Sequence, residues 1–322
     1  MRSLKKIIKG AMATSLGWRL SAPLRPGGVA VLMYHRITRP SDPFPGLELS
    51  RFRAQMQWLK RRCAVIAPED LPQFARDSSR TRPAVLVTFD DGYRDYYDNA
   101  YPVLDELRIP AVVFLATSFM DNGGMIWTDA LHWAAGATRN STATLPWDRT
   151  AAFDLRAEAG REALLHQCKR HLKDAPDVDR RRWMDMLLAE LGVAGREGEI
   201  ARQMMNWHEV RATARLTRCG GHTHTHPIMS QLEAPELERE VRVCRDRIAT
   251  ETGVAPRYFA YPNGRAADFT EAAKAVLRRH GFDFAFTTIE GMNARDADLL
   301  ALRRIPTGAA TLADFAWLVS GR

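Results

Sequence analysis

The feature that most constrains this chain is a repeated break: apolar runs of strand length end in polar or charged residues, with helical patterns between them. PAVLVTFDDG (83–92) reads as a buried strand that stops on two adjacent carboxylates, Asp90 and Asp91. GGVAVLMYHRI (27–37) likewise ends in Tyr34, His35 and Arg36, and AVVFLAT, LTRCGG, RYFAYPNG, FDFAFTT and LLALRRIP follow as further strands. Helical spacing fills the gaps. In LSRFRAQMQWLKRR, Ser50 is the natural N-cap and Phe52, Met56 and Leu59 share a face. YRDYYDNAYPVLDELRIP reads as a helix with Pro102 out of keeping. PELEREVRVCRDRIATETG places Pro235 in its first turn and Gly253 at its end. DFTEAAKAVLRRHG closes on Gly281, and TLADFAWLVS is a last helix. Strands alternating with helices imply βαβ units and a parallel sheet. Six or seven such units favour a closed or nearly closed barrel over an open sheet, with chemistry at the C-terminal ends of the strands.

Two segments stand outside this pattern. Residues from about 124 to 205, including DRTAAFDLRAEAGREALLHQCKR and DVDRRRWMDMLLAELGV, are mostly helical in pattern and read as an insertion between barrel units. Residues 1–27 form a basic N-terminal segment, so the barrel with its insertion is expected over 28–322. Lys9, Gly10 and Ser15 interrupt that segment's apolar positions, which argues against a signal peptide. Its two readings are a surface helix packed on the domain and a short helix lying on an anionic membrane.

The formal net charge is +8, which permits an anionic partner, but the arginines are spread over the chain without a basic, aromatic-interleaved stripe. Nucleic acid is therefore not an expected partner. Cys63, Cys168, Cys219 and Cys244 are far apart and form no CxxC pair. They read as reduced, mostly buried thiols, which suggests the cytoplasm.

The chemistry concentrates in two places. Adjacent carboxylates at a strand end cannot both be buried comfortably without positive charge close by. Either one of Asp90 and Asp91 binds a metal while the other acts as a base, or the pair is a solvated Asp-Asp-Gly turn. An aspartyl phosphatase needs Asp-x-Asp, and position 92 is glycine. In HTHTHP, His222 and His226 stand four apart, a spacing that can put two imidazoles on one metal, while His224 points elsewhere. Two histidines and an aspartate leave coordination positions open for water and substrate, as a catalytic metal needs.

TFDDG (88–92) together with HTHTHP resembles the polysaccharide deacetylase family, carbohydrate esterase family 4 or NodB homology domain, with its motifs TFDDG and H-[ST]-x-x-H. LMYHRI and FAYPNG also look like bacterial members. The resemblance covers roughly residues 28–120 and 206–308. It implies a distorted (β/α)7 TIM-like barrel and a divalent metal, with zinc favoured and cobalt, nickel or manganese also accepted by such a ligand set. It further implies Asp91, His222 and His226 as ligands, Asp90 as catalytic base, and the backbone N–H of Tyr93 as an oxyanion donor. Thr223 either orients the histidine loop or is a turn residue, and Tyr261, Pro262 and Gly264 form a wall of the site.

Two departures from the family pattern matter. Ala260 stands where many members carry an arginine that pairs with the base, and no histidine follows His280 to serve as general acid. Arg304 is expected to hold Asp90 ionised from another strand, with Arg303 competing for the role. His35 is either a site residue, with the acid as its candidate role, or a buried, hydrogen-bonded histidine. Trp127 and Trp207 either stack on a sugar or pack. The expected activity is metal-dependent removal of N-acetyl groups from amino sugars of a polysaccharide or glycan precursor, for instance an exopolysaccharide. Two alternatives remain: deformylation or deacetylation of a lipid-linked sugar at the inner membrane, with peripheral contact through the N-terminal segment, and a catalytically weakened glycan-binding domain.

Overall fold

The computed structural model describes residues 10, 28–76, 82–308 and 311–320. The expectations for residues 1–27 lie outside these, apart from Gly10. The described residues fall into two compact units, one drawn from 1–41, 45–121 and 204–322, the other from 42–44 and 122–203.

The larger unit is a ring of seven parallel strands: β1 (Val29–Tyr34), β2 (Ala84–Phe89), β3 (Ala111–Leu115), β4 (Thr217–Gly221), β5 (Tyr258–Ala260), β6 (Phe284–Glu290) and β7 (Leu302–Pro306). Neighbours in sequence are neighbours in space, and β7 returns to pair with β1. Closure is uneven: β1 and β2 share six aligned residue pairs, β4 and β5 one. A two-residue strand, Ala64–Val65, also pairs with the start of β2. The sequence explains the closure. Strand residues alternate between two apolar environments, so both faces are buried and the runs are almost wholly apolar. Val29, Val31, Ala84, Leu86, Val112, Phe114, Ala260, Phe286 and Leu302 form one cluster inside the ring. β4 runs through Gly220 because Phe114 leaves no room beside it: a Cβ there would lie 2.5 Å from that ring.

Helices cover the outside: α1 (Leu49–Arg62), α2 (Tyr101–Leu107), α3 (Trp207–Ala212), α4 (Ala234–Thr252), α5 (Glu271–Arg279) and α6 (Leu312–Val319). Phe52, Met56 and Leu59 are buried on α1 as their spacing predicts, but Ser50 is not its cap. It lies inside the first turn, where its hydroxyl donates to Glu48. Pro102 is accommodated because a π-helical turn, Tyr96–Ala100, precedes α2 and leaves the proline in α2's first turn, where no N–H is needed. Gly253 ends α4 at φ 74°, a left-handed cap.

The smaller unit holds three helices, Trp127–Ala137, Glu158–Asp174 and Asp177–Glu190, around an apolar core of Leu131, Leu164, Cys168, Leu172 and Leu187. It is not all helical. Thr142–Leu145 and Asp148–Asp154 form an antiparallel pair, so the stretch from Asp148, expected to be helical, begins as a strand. Period two wins locally: Ala143, Leu145 and Phe153 are buried while most of their neighbours face water, and Pro146-Trp147 makes the turn. No helix among the described residues is long and apolar enough to cross a membrane.

Candidate metal and catalytic site

The site is assembled at the C-terminal ends of the strands. Asp90 and Asp91 follow β2, His222–His226 follow β4, His35 follows β1, and Arg304 lies within β7. The inward alternation of β2 and β7 puts Thr88 and Arg304 above the apolar filling of the ring. Arg304 is fully buried, at 0 % exposure, and donates to both oxygens of Asp90 at 2.6 and 2.7 Å. Its Nε donates to the Thr287 carbonyl at 2.7 Å, and its guanidinium lies over the Phe114 ring. Every direction in which this fork can turn is thereby fixed. Burial alone would push the Asp90 carboxyl up, but the Arg304 charge, with His35 and the paired hydrogen bonds, outweighs it and holds the group below its ordinary value.

Asp91 and the two histidines converge. Asp91 Oδ1 lies 3.2 Å from His222 Nε2 and 3.4 Å from His226 Nε2, and the three candidate ligand atoms lie within 4.8 Å of one another. His222 Nδ1 donates to the Ala260 carbonyl at 2.7 Å, which commits that nitrogen and turns Nε2 toward Asp91. Burial pushes Asp91 up; hydrogen bonds from both imidazoles overcome this and hold it well below the carboxylate range. His222 is raised instead: burial lowers it, but Asp91 and the charge of Asp90 prevail. The donor set of one oxygen and two nitrogens, with one imidazole oriented by a carbonyl, fits a divalent transition metal.

The backbone reaches this geometry through unusual conformations. Among the described residues, five other than glycine have positive φ, and three of them are Asp91 (75°), Thr223 (61°) and His226 (62°). Such conformations cost of order 1–3 kcal/mol each and persist where surroundings enforce them. One enforcer escaped the sequence reading. Glu240 of α4 is buried, and its carboxylate accepts from the backbone N–H groups of His224 and Thr225 at 2.8 and 2.7 Å and from the Thr225 hydroxyl at 3.0 Å. A signal existed: Glu240 shares the buried face of α4 with Leu237, Val241, Cys244 and Ile248, where a carboxylate needs a reason. His224 turns away, with its Nδ1 2.9 Å from the Thr117 hydroxyl.

The remaining expected residues divide. His35 is not a buried structural histidine; its side chain is 47 % exposed and its Nε2 lies 3.7 Å from Asp90 Oδ2. Thr223 is buried and its hydroxyl donates to the His222 carbonyl at 2.6 Å. The Tyr93 ring is buried with Arg36 3.6 Å above it, and Tyr93 bridges Met204 antiparallel, with Met205 N–H donating to the Gly92 carbonyl at 3.0 Å. Arg303 does not reach Asp90; it donates to the Glu290 carbonyl at 3.1 Å. Tyr261 requires a correction. Its side chain is no wall of the site but part of the core behind it, stacked on Phe269 at 4.3 Å with its hydroxyl donating to the Leu300 carbonyl. Pro262 is buried as well. Trp207 packs, donating to Asp121 at 2.7 Å, and Trp127 packs on the core of the smaller unit.

The family model for polysaccharide deacetylase matches residues 77–148 and 196–285. YxkH of Bacillus subtilis is 33 % identical over 93 residues, 28 % of this chain and 33 % of that protein. The poly-β-1,6-N-acetyl-D-glucosamine N-deacetylase of Staphylococcus epidermidis is 35 % identical over 68 residues, 21 % of this chain and 24 % of that one. The chain thus spans a third or less of the curated relatives it matches. Two solved structures share the fold. Streptococcus pyogenes deacetylase PplD has a TM-score of 0.61 at 17 % identity, over 92 % of this chain and 100 % of that one. IcaB from Ammonifex degensii has a TM-score of 0.59 at 17 % identity, over 92 % and 99 %.

Proposed function

The chain belongs to the polysaccharide deacetylase family, and on that premise we propose that it is a metal-dependent hydrolase removing N-acetyl groups from the amino sugars of a polysaccharide. The observation that carries this is the convergence of Asp91, His222 and His226 beside an Asp90 gripped by a buried arginine. Asp91 Oδ1 and the Nε2 atoms of His222 and His226 would hold a divalent ion, and we assign zinc from the nitrogen-rich donor set. Such an ion supplies Lewis-acid chemistry, polarising the amide carbonyl and making water more acidic.

The residues do the rest. Asp90, kept ionised by Arg304, takes the proton of the attacking water. A carboxylate held below its ordinary value is a weaker base, so its value lies in position and ionisation rather than in basicity. As the carbonyl becomes tetrahedral, the backbone N–H of Tyr93 stabilises the oxyanion. His35, half exposed beside Asp90, donates the proton that the departing amine requires. The C–N bond breaks, leaving acetate and a free amino sugar. Thr223 and Glu240 hold the histidine loop in its strained form.

An Arg304 that restores a partner for the base weighs against a merely glycan-binding role. The substrate class is an N-acetylated glucosamine polymer, the class named for the staphylococcal relatives. The four thiols, none of them in a disulfide, support action in a reducing compartment such as the cytoplasm. The basic composition of residues 1–27 supports a peripheral contact with an anionic membrane and, as the second reading, a lipid-linked amino sugar as substrate. Acetate release from β-1,6-linked N-acetylglucosamine oligomers tests the proposal. Wild type should release acetate and Asp90→Asn should lose it by a factor of about 10²–10⁴; equal rates would remove the assigned base.

A further inference from the structure

The smaller unit carries a pocket that the family's motifs do not reach. A cavity of about 460 Å³ is lined by Trp147, Gln167, Arg170, His171, Asp174 and Trp183. All but Trp147 lie in residues 149–195, which the family model leaves unmatched. Trp147 lies flat on His171, with ring centroids 4.2 Å apart and 13° between planes, and Trp183 closes against both at 5.5 and 4.7 Å.

Packing alone does not account for this arrangement. Residues 167, 170, 171 and 174 are spaced i, i+3, i+4, i+7, so they form one face of the helix Glu158–Asp174. That face is polar, yet it is set against two indoles that are only half-buried. His171 Nε2 is buried and has no hydrogen-bond partner among the described residues. Leaving such a group unpaired costs roughly 1–3 kcal/mol.

The lining specifies the ligand's chemistry. Indole surfaces ask for a flat apolar face. Gln167 offers both donor and acceptor, and Arg170 and Asp174 carry opposite charges, so neither an anion nor a cation is favoured. The volume is that of a small-molecule site, within the usual range of about 300–1,000 Å³. A pyranose ring has this dual character, with C–H groups on its face and hydroxyl or acetamido groups on its rim.

We propose that this pocket is a sugar-binding subsite that takes pyranose rings of an uncharged, N-acetylated glycan. The choice of glycan rests on the deacetylase reading. The test uses the ¹⁵N-labelled full chain carrying Asp90→Asn, so that the probe is not consumed, and titrates it with a β-1,6-linked N-acetylglucosamine pentamer. Trp147→Phe and Trp183→Phe assign the two indole N–H signals without deleting either ring. The pentamer should shift both signals saturably. Replacing Gln167 and Asp174 with alanine, at one half-buried and one exposed position, should weaken that response about fivefold or more, as loss of a hydrogen bond does. Unmoved indole signals, or an unchanged midpoint in the double variant, would overturn the subsite. Acetate release by the unsubstituted chain is scored separately. Its absence would count against the deacetylase, while the indole signals would still decide the pocket.

Discussion

Removing Arg304 should damage stability and catalysis together, and the two effects should depend on pH in opposite ways. The guanidinium is wholly buried and satisfies both oxygens of a buried Asp90 at 2.6 and 2.7 Å. Arg304→Ala leaves that carboxylate in place with its solvation gone, a change that costs about 3–5 kcal/mol. The pKa direction follows. In the wild type, Asp90 is held below its ordinary value, so it contributes stability above the unfolded carboxylate pKa and loses it as pH falls through the folded one. In the variant, burial is left as the largest influence and the pKa rises above the ordinary value. Neutral pH then becomes the unfavourable condition, and acidification relieves the variant by protonating Asp90. Urea unfolding at a series of pH values reads this directly: the gap between wild type and variant should be widest near neutrality and narrow toward the carboxylate range. In acetate release, the acidic limb of kcat/KM should move to higher pH. Arg304→Lys, a single point charge in place of a fork, should fall between the two. A stability loss under about 0.5 kcal/mol, the usual range for an ordinary surface change, together with an unmoved acidic limb, would refute this role for Arg304.

Other consequences follow from the same geometry. Glu240→Gln removes the charge that fixes the histidine loop and should weaken zinc binding about 10- to 100-fold while leaving the rate at saturating zinc close to wild type, as competition with a metal indicator would show. His35→Gln should depress turnover for poorly departing amines more than for activated amides, as parallel rates on the two substrate types would show; equal losses on both would return His35 to a bystander. Gly220→Ala should destabilise the fold by about 1–3 kcal/mol through overpacking against Phe114, measurable by urea unfolding without touching the site.

Much of this was legible in the sequence because it depends on periodicity and local spacing. Apolar runs buried on both faces and broken by polar ends gave the ring of strands. Two histidines four apart after β4 and two carboxylates after β2 meet because both loops leave the same end of that ring. What escaped depended on contacts that no local pattern records. Glu240 acts on backbone groups fifteen and sixteen residues upstream. Tyr261 belongs to the FAYPNG segment whose resemblance to the family motif implied a site wall, yet its side chain turns into the core, where Phe269 and the Leu300 carbonyl satisfy its ring and hydroxyl. His35 and Arg304 could be nominated but not placed, since their roles rest on facing Asp90 across β1 and β7. The strand Asp148–Asp154 was hidden by a composition that also suits a helix, and its pairing with Thr142–Leu145 decided the matter.

The central claim is that a divalent ion held by Asp91, His222 and His226 works beside Asp90. Zinc content and acetate release measured on the same samples, as zinc is titrated into chelator-treated protein, test it most directly, with His226→Ala alongside. About one zinc per chain is expected, with acetate release rising in proportion to occupancy and both lost in the variant. Acetate release that survives chelation, or that His226→Ala leaves intact, would contradict it.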